Sequence, residues 1–409
     1  MLTYSFENRG KDSLYESLYK QIRKDIQQGK LKAKEKLPSK RALAKHLNIS
    51  TITVENAYMQ LVAEGYITSI PKSGYYVCDV DMVKYGIKKN ADVFISSKKE
   101  EEYFADFLSN EMLVDNFPFS TWTKLTKETL SESTQKLMKR SPSIGLIELR
   151  KAIANYLYQF RGMEIHPDQI VVGAGTEYLY SLLIQLLGKD KVFATEDPGY
   201  QKIKKIYASF NVETKVLEMD EEGILVKDLY ESDVDILHIS PSHHFPSGII
   251  MPIGRRLEIL KWALDKDGRY IIEDEYDSEF RMSGKPIPSL QSIDINDKVI
   301  YINTFSKTLT STIRISYMIL PKKLMNMYQE KLNFYSCTVS NFEQILLSKF
   351  IEQGYFEKHI NRMKTFYRTQ RDKLIDCIQN HSESYKVEIK EENAGLHFLL
   401  KVHTSYSDE

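Results

Sequence analysis

Between two apolar runs of the chain lies the segment NTFSKTLTSTIRISY, residues 303–317. Its one lysine, Lys307, stands in a loop of small and hydroxyl-bearing residues, and Arg314 follows seven positions later. Most lysines in polar loops are solvated surface residues. The segment alone therefore leaves open whether Lys307 is a surface side chain or the point at which a cofactor is attached.

The apolar run before Lys307 belongs to a series, because helical patterns alternate with short β-branched runs from about residue 140 onward. The predicted strands are QIVVG (169–173), KVFATE (191–196), DILHIS (235–240), RYIIED (269–274) and KVIYINT (298–304). Such alternation predicts an α/β domain, a mostly parallel sheet with helices on both faces. Ligands bind such sheets beyond the carboxyl ends of the strands, so the residues that follow each strand are the candidate site.

Polar and aromatic residues do follow the predicted strands. They are Gly175 and Thr176, Tyr200, His243, Asp274 and Tyr276, and Ser306 with Lys307 and Arg314. Together they supply what pyridoxal 5′-phosphate (PLP) requires: an amine for the aldehyde, a carboxylate for the ring nitrogen, a hydroxyl for the phenolic oxygen, and helix-start N–H groups with an arginine for the phosphate. A carboxylate beside the ring nitrogen keeps it protonated. We therefore predict PLP as the cofactor.

The first 80 residues differ from the rest in charge. They contain 13 Lys and Arg against 8 Asp and Glu, although the whole chain has a net charge of zero, and this basic excess favours an anionic partner. Apolar residues at four-residue steps predict a helix from Leu14, and N-cap serines predict two more after Ser39 and Ser50. The short turn between the last two is typical of a helix-turn-helix. YITSIPKSGYYV (66–77) predicts a two-stranded wing.

This N-terminal sequence resembles the winged helix of the GntR family of bacterial repressors over residues 14–77, most clearly in KLPSKRALAKHLNISTITVENAYMQLVAEGYITSIPKSGYYV. The resemblance implies binding of double-stranded DNA through residues that contact phosphates, read the major groove and form the wing. In that order they are Ser39, Lys40 and Arg41; Ser50, Thr51 and Thr53; and Lys72 and Gly74. The family usually has arginine where this chain has Thr51, and its absence removes a bidentate guanine contact.

The remainder resembles fold-type I aminotransferases and, with the winged helix, the MocR subgroup of GntR regulators, in which the two are fused. The matching stretches are SPSIGLIELRKAIANYL, EDPGY, SPSHHFPSGIIMPIGRRLEIL, IIEDEYDSEFR and INTFSKTLTSTIRISYMILP. The resemblance implies that PLP is attached to Lys307 and that Asp274 binds its ring nitrogen. It further implies Tyr276 at the phenolic oxygen and Tyr200 stacked on the ring. By the same resemblance the phosphate is held by Gly175, Thr176, Ser306 and Arg314. His243 has no Cys, Asp or Glu at metal-ligand spacing, so we expect it to line the pocket.

Three departures from the family pattern bear on activity. Aminotransferases usually have asparagine in a stretch like HNPTG, whereas HFPSG here has Phe245, which cannot donate a hydrogen bond. The family's carboxylate-binding arginine lies well beyond GLH (395–397), and the sequence stops at Glu409. We therefore expect either an incomplete C-terminal subdomain or an effector held in another way. At a position where one relative binds a carboxylate, this chain has Lys202. Lysine can attract an anion but cannot form the bidentate hydrogen bonds of arginine.

These features predict a dimeric, cytoplasmic transcriptional regulator whose large domain senses PLP or a PLP–amino acid adduct. The alternatives are an active aminotransferase that carries a winged helix, and a DNA-binding protein whose large domain only dimerises. The expected domains are a winged helix (1–80), a linker (81–105) and the aminotransferase-like domain (106–409). Three widely spaced cysteines, and adjacent histidines without Cys, Asp or Glu at ligand spacing, predict neither disulfides nor a metal site. No apolar run is long enough to cross a bilayer, so no membrane partner is expected.

Overall fold

The computed structural model describes residues 2–6, 10, 12–79, 112–282, 288–381, 386–393 and 395–404. The chain divides into two compact units, with the described residues up to 79 in the first and those from 112 onward in the second. The predicted linker lies outside the described residues. Among the helices that the structure describes, none combines the length and apolar character needed to cross a bilayer.

The first unit consists of three helices and a hairpin. Its elements are α1 (Leu14–Gln27), α2 (Lys40–Leu47), α3 (Thr51–Ala63) and the antiparallel strands β1 (Ile67–Ile70) and β2 (Gly74–Val77). The predicted N-caps are present, since Ser39 Oγ accepts from the Ala42 N–H at 3.2 Å and Ser50 Oγ from the Thr53 N–H at 3.1 Å. These side chains bind backbone N–H groups that have no partner within the helix.

One small core holds this unit together. The apolar faces of its three helices meet there, and the side chains that are fully buried include Leu18, Ile22, Leu43, Val54 and Leu61. The turn between α2 and α3 contains Asn48 in the left-handed region, which ends α2 and turns the chain into α3. The predicted winged helix-turn-helix is confirmed.

The second unit is built on an eight-stranded sheet with the order β3-β10-β9-β8-β7-β4-β5-β6. Strands β4, β5, β7, β8 and β9 are mutually parallel, β10 is antiparallel to both of its neighbours, and β6 is antiparallel to β5. The strand bounds are β3 (Ile170–Gly173), β4 (Phe193–Asp197), β5 (Thr214–Asp220), β6 (Gly223–Ile224), β7 (Ile236–Ile239), β8 (Tyr270–Asp274), β9 (Val299–Thr304) and β10 (Ser316–Ile319).

Helices cover both faces of this sheet, and successive strand residues point to opposite faces. In β3, Val172 packs in a cluster with Leu157, whereas Val171 packs with Leu179 and Leu183. The helices are α4 (Phe119–Glu132), α5 (Thr134–Leu137), α6 (Ile147–Arg161), α7 (Thr176–Leu187), α8 (Gln201–Ser209), α9 (Val226–Glu231), α10 (Ile253–Leu264), α11 (Leu290–Ile293), α12 (Lys322–Lys331), α13 (Asn341–Glu352) and α14 (Tyr355–Gln379). Short 3-10 helices span Val114–Asn116, Pro167–Gln169 and Ser278–Phe280, and a separate hairpin pairs β11 (Val387–Lys390) with β12 (Leu399–Val402).

The predicted α/β fold with a mostly parallel sheet is confirmed, and two details differ. Strands β5, β6 and β10 were not predicted, because β5 is mostly polar, β6 has two residues, and β10 follows an irregular loop. The other detail concerns Asp274 and Tyr276, since β8 ends at Asp274 and Tyr276 lies in the bend that follows.

Candidate functional site

Lys307 lies in the turn that immediately follows β9. Backbone hydrogen bonds from Phe305 to Ile315 and from Leu309 to Phe305, both 2.9 Å, hold this turn. The lysine is half-buried, and the removal of water lowers the pKa of Lys307, while the nearby Asp277 carboxylate acts in the opposite direction. A lysine with a lowered pKa is more often the neutral amine that can attack a carbonyl.

Asp274 ends β8 and is held by side chains from other elements. Its Oδ2 atom accepts a hydrogen bond from the Tyr180 hydroxyl of α7 and lies 3.3 Å from His238 Nε2 of β7. Tyr207 of α8 places its hydroxyl 2.6 Å from the other ring nitrogen of His238. The carboxylate is 8% exposed, so its position and orientation are fixed by this network. Tyr180, His238 and Tyr207 were not predicted from the sequence.

The start of α7 forms a cradle next to Arg314. Gly175 is the N-cap residue, and its φ of +94° is a conformation that favours glycine; a Cβ atom at this position would also lie 2.4 Å from Nη2 of Arg314, which would have to move. Thr176 is the first residue of α7, and its side chain interacts with Tyr180. Ser306 Oγ accepts from Thr304 Oγ1 at 3.0 Å. Unpaired helix-start N–H groups beside an arginine suit a phosphate.

Glu177, which was not predicted from the sequence, lies in the first turn of the same helix. Its carboxylate forms ion pairs with both Arg314 and Lys202. Burial by itself would raise the pKa of Glu177, but the hydrogen bond from Lys202 and the attraction of Arg314 lower it, so the group is ionised. A bound phosphate would therefore compete with Glu177 for Arg314.

We expect Glu177→Gln to bind PLP more tightly than the wild type, by about two- to five-fold, which is the range for a partly exposed ion pair. The substitution removes a negative charge that would face the phosphate and frees Arg314. The measurement is a PLP titration followed by absorbance, with Glu221→Gln, an exposed carboxylate after β5, as the matched control. Weaker binding by Glu177→Gln alone would contradict the competition between Glu177 and the phosphate.

Aromatic and imidazole rings form another wall of the site. The Tyr276 hydroxyl is 3.3 Å from His243 Nδ1, which is 2.9 Å from Asp277 Oδ1. Tyr200 is 47% exposed and meets Phe245 edge to face with ring centroids 5.7 Å apart. One face of Tyr200 is therefore available for stacking on a planar ligand.

The fold also brings together residues that sequence spacing could not associate. His397 lies over His243 with ring centroids 4.3 Å apart, and the ligand atoms of His243, Asp277 and His397 lie within 4.8 Å of one another. Burial and the neighbouring His243 lower the pKa of His397 to about 4, so it is neutral at pH 7. Our prediction of no metal site considered only residues close in sequence, and it remains a prediction.

The side chains around Lys307 fit PLP, because a desolvated lysine, a buried carboxylate and a glycine cradle beside an arginine match its aldehyde, ring nitrogen and phosphate. When bound, PLP would supply an electrophilic aldehyde and an electron-withdrawing ring. Lys307 would bind it covalently, Asp274 would hold the proton on the ring nitrogen, and Tyr276 would donate to the phenolic oxygen. These are the roles predicted from the sequence, and they remain predictions.

We expect Asp274→Asn to weaken PLP binding more than Tyr276→Phe. The first change removes a charged partner, worth about 1.5–3 kcal/mol, while its amide can still accept from Tyr180; the second removes one neutral hydrogen bond, worth about 0.5–1.5 kcal/mol. PLP titrations of both variants measure which substitution lowers the affinity for PLP more. The reverse order would show that the two roles are wrongly assigned.

In the first unit, the predicted DNA-binding residues lie on α2, on α3 and in the hairpin turn. Arg41 and Thr51 are exposed at the starts of α2 and α3. Thr53 Oγ1 lies 2.8 Å from the Ser50 hydroxyl, so the capping contact also orients this side chain. Lys40 forms an ion pair with Glu55, which offsets part of its charge.

The hairpin turn carries the other two predicted contacts. Lys72 is exposed with φ +60°, and Gly74 has φ +122°, a conformation that side chains rarely adopt. Ser39 and Ser50 use their hydroxyls as helix caps, which positions the first turns of α2 and α3. The structure thus places these residues on exposed helix starts and a turn of one unit, and their contacts with DNA stay predictions.

Two family profiles match the chain. Bacterial regulatory proteins, gntR family, match residues 14–77, and aminotransferase class I and II matches residues 104–404. The first match covers the winged helix, and the second covers Lys307 and every neighbouring residue described above.

Curated relatives share this organisation over nearly the whole chain. The uncharacterized HTH-type transcriptional regulator YdeL of Bacillus subtilis is 39% identical over 407 residues, which cover 99% of this chain and 87% of YdeL. The HTH-type pyridoxine biosynthesis transcriptional regulator PdxR of Corynebacterium glutamicum is 29% identical, covering 95% of this chain and 83% of PdxR. Among solved structures, a multiple substrate aminotransferase from Thermococcus profundus superposes with a TM-score of 0.62 at 26% identity, covering 70% of this chain and 73% of the enzyme.

Proposed function

Because this chain belongs to the gntR family of bacterial regulatory proteins, in the group whose second domain is of aminotransferase class I and II, we propose that its aminotransferase-like domain is a PLP sensor. The chain is a helix-turn-helix transcriptional regulator. The proposed signal is PLP itself or its adduct with an amino acid. One relative is named as a regulator of pyridoxine biosynthesis, which supports a role for the cofactor as a signal.

The observation that carries the proposal is the desolvated Lys307 after β9 together with the fixed, buried Asp274 at the end of the neighbouring strand β8, in a chain that also has a winged helix. Burying a lysine or a carboxylate away from water costs free energy. Their retention in a regulator is explained if they bind the effector. The Gly175 cradle supports the same ligand, because a phosphate is the anion that a helix start and an arginine bind together.

Regulation requires that the ligand bind two states of the protein with different affinity. We propose a cytoplasmic homodimer in which PLP favours one arrangement of the two winged helices, because winged helices usually bind paired half-sites. Coupling of this kind typically changes the affinity for DNA by about 5- to 150-fold. In this proposal residues 1–80 form the domain that binds DNA, and residues 106–409 form the domain that binds PLP.

The test is the affinity of the full chain for operator DNA with and without PLP, measured by fluorescence anisotropy at fixed salt. Pyridoxine 5′-phosphate, which has the phosphate and ring but no aldehyde, is the matched control ligand. We expect PLP to change the affinity and the control to change it much less. Equal affinities in all three conditions would refute PLP sensing while leaving DNA binding intact.

An active aminotransferase is the second candidate, because Lys307, Asp274 and Tyr276 are all present. Against it stands Phe245, whose ring lies edge-on to Tyr200 and to His397 and cannot donate to a phenolic oxygen. We expect single-turnover formation of keto acid from amino acids to be far below the range of about 1–10³ s⁻¹ found for working enzymes. Rates within that range would establish the enzyme instead.

A further inference from the structure

A small cavity lies beside Asp277, away from the cradle at Gly175. Its volume is 20 Å³, and it is lined by Arg161, Ser242, His243, Asp277, Ser278 and Arg281, with Gly395 at its edge. A space of this size holds about one water molecule or one oxygen atom of a ligand. Asp277 is also the carboxylate that acts on the Lys307 ammonium group, so the cavity neighbours the reactive lysine.

The side chains that line this cavity carry several hydrogen-bond donors without a partner. Within the part of the chain that the structure describes, Nε and Nη1 of Arg281 and the hydroxyls of Ser242 and Ser278 are buried and make no hydrogen bond. His243 is 4% exposed and Ser242 is 6% exposed. Buried polar groups are nearly always paired, so a cluster of unpaired donors indicates a missing acceptor.

The charges at the cavity favour an anion. Arg161 forms an ion pair with Glu275, with Nη2 3.0 Å from Oε2. In contrast, none of the described carboxylates forms an ion pair with Arg281. The one acidic residue in the lining, Asp277, already accepts hydrogen bonds from His243 and from the Leu396 N–H at 2.9 Å. An arginine without a counter-charge is costly to bury, and an anion would remove that cost.

A cation is disfavoured here even though His243, Asp277 and His397 offer ligand atoms close to one another. Two guanidinium groups line the same cavity as His243 and Asp277, and their charge would repel a metal ion. One oxygen of a planar carboxylate fits a space of 20 Å³, and the carboxylate matches the fork of donors that arginine presents.

We propose that this cavity is a carboxylate-binding subsite in which Arg281, assisted by Ser242 and Ser278, binds the carboxylate of an amino acid effector. The inference rests on the proposed function for its physiological meaning, since the amine of the same effector would react beside Lys307. It assigns the anion contact to Arg281 and not to Lys202, which is paired with Glu177.

The first test uses the full chain without PLP and follows the binding of acetate by calorimetry, with chloride as the control anion. We expect Arg281→Met to weaken acetate binding by roughly 10- to 100-fold and Ser278→Ala by roughly two- to ten-fold. Lys202→Met should bind acetate like the wild type. Arg281→Met should unfold at the same temperature as the wild type or higher, because it removes an unpaired buried charge; an arginine with a purely structural role would give a lower one.

The second test uses the PLP-loaded chain and compares glycine with methylamine, which has the same amine but no carboxylate. The change in visible absorption should occur at lower concentrations of glycine, and this preference should disappear in Arg281→Met and shrink in Ser278→Ala. Acetate that binds no better than chloride to the wild type, or a loss caused by Lys202→Met instead, would overturn the proposal. Failure of PLP to bind at all would refute the proposed sensor, while the acetate experiment would still decide the subsite.

Discussion

Lys307→Ala will abolish the covalent attachment of PLP. The variant should lose the visible absorption of the loaded protein and the adduct that borohydride traps, because no other amine is positioned by the turn after β9. The turn itself should persist, since backbone hydrogen bonds of Phe305 and Leu309 hold it without the lysine side chain. Circular dichroism and the unfolding temperature check that the variant is folded.

Lys364→Ala is the matched control for this experiment. Lys364 is also partly buried, and burial lowers its pKa as it does that of Lys307, but its amine lies over the ring of Phe160, 5.2 Å from the centroid. It should therefore share the general reactivity of a desolvated lysine without the site around it. If the trapped adduct persisted in Lys307→Ala and vanished in Lys364→Ala, PLP would be attached to Lys364 and our assignment of Lys307 would be wrong.

The depressed pKa of Lys307 also sets the pH dependence of attachment. The rate should rise with pH as the ammonium group loses its proton and should level off below the ordinary value for lysine of about 10.4. Burial causes the shift, so a surface amine such as free lysine should level off at a higher pH under the same conditions. Rates that rise in parallel for the two amines would show that Lys307 is not desolvated.

DNA binding by the full chain will weaken steeply with salt, by roughly a thousand-fold between 50 and 200 mM, if six or more phosphates are neutralised. Arg41, Lys72 and Lys40 in each subunit of a dimer would provide that number. Arg41→Ala should lower the affinity for operator and random DNA alike and should reduce the salt slope. Lys40→Ala should have a smaller effect, because Glu55 already offsets its charge.

Substitutions on α3 should act differently from those at the phosphate contacts. Thr51→Ala should change which sequences are preferred, since Thr51 is exposed at the start of the helix that reads the major groove. Lys151→Ala, an exposed lysine of α6 in the other unit, is the control and should change neither affinity nor slope. A salt-independent affinity, or equal losses from Lys151→Ala and Arg41→Ala, would argue against the proposed interface.

Much of the fold could be predicted because local patterns report which face of an element is buried. Four-residue spacing of Leu14, Leu18, Ile22 and Ile26 predicted α1, and the serine caps predicted the starts of α2 and α3. Strands β3, β7, β8 and β9 were equally clear, because both of their faces are covered and their sequences are mostly apolar. Strand β5 was not, because its partly exposed and polar sequence gives no such signal.

The sequence by itself determined the two-domain organisation, the parallel sheet and the set of residues that follow its strands, including Lys307 and Asp274. Only the tertiary structure decided what those residues contact. Tyr180 and His238 hold Asp274 because α7 and β7 lie next to β8, and Glu177 meets Arg314 because the chain returns through β10 beside β3. Strand order and helix packing create such contacts between residues far apart in the chain. Local periodicity contains no information about them, and the unpaired donors around Arg281 became visible only when burial was known.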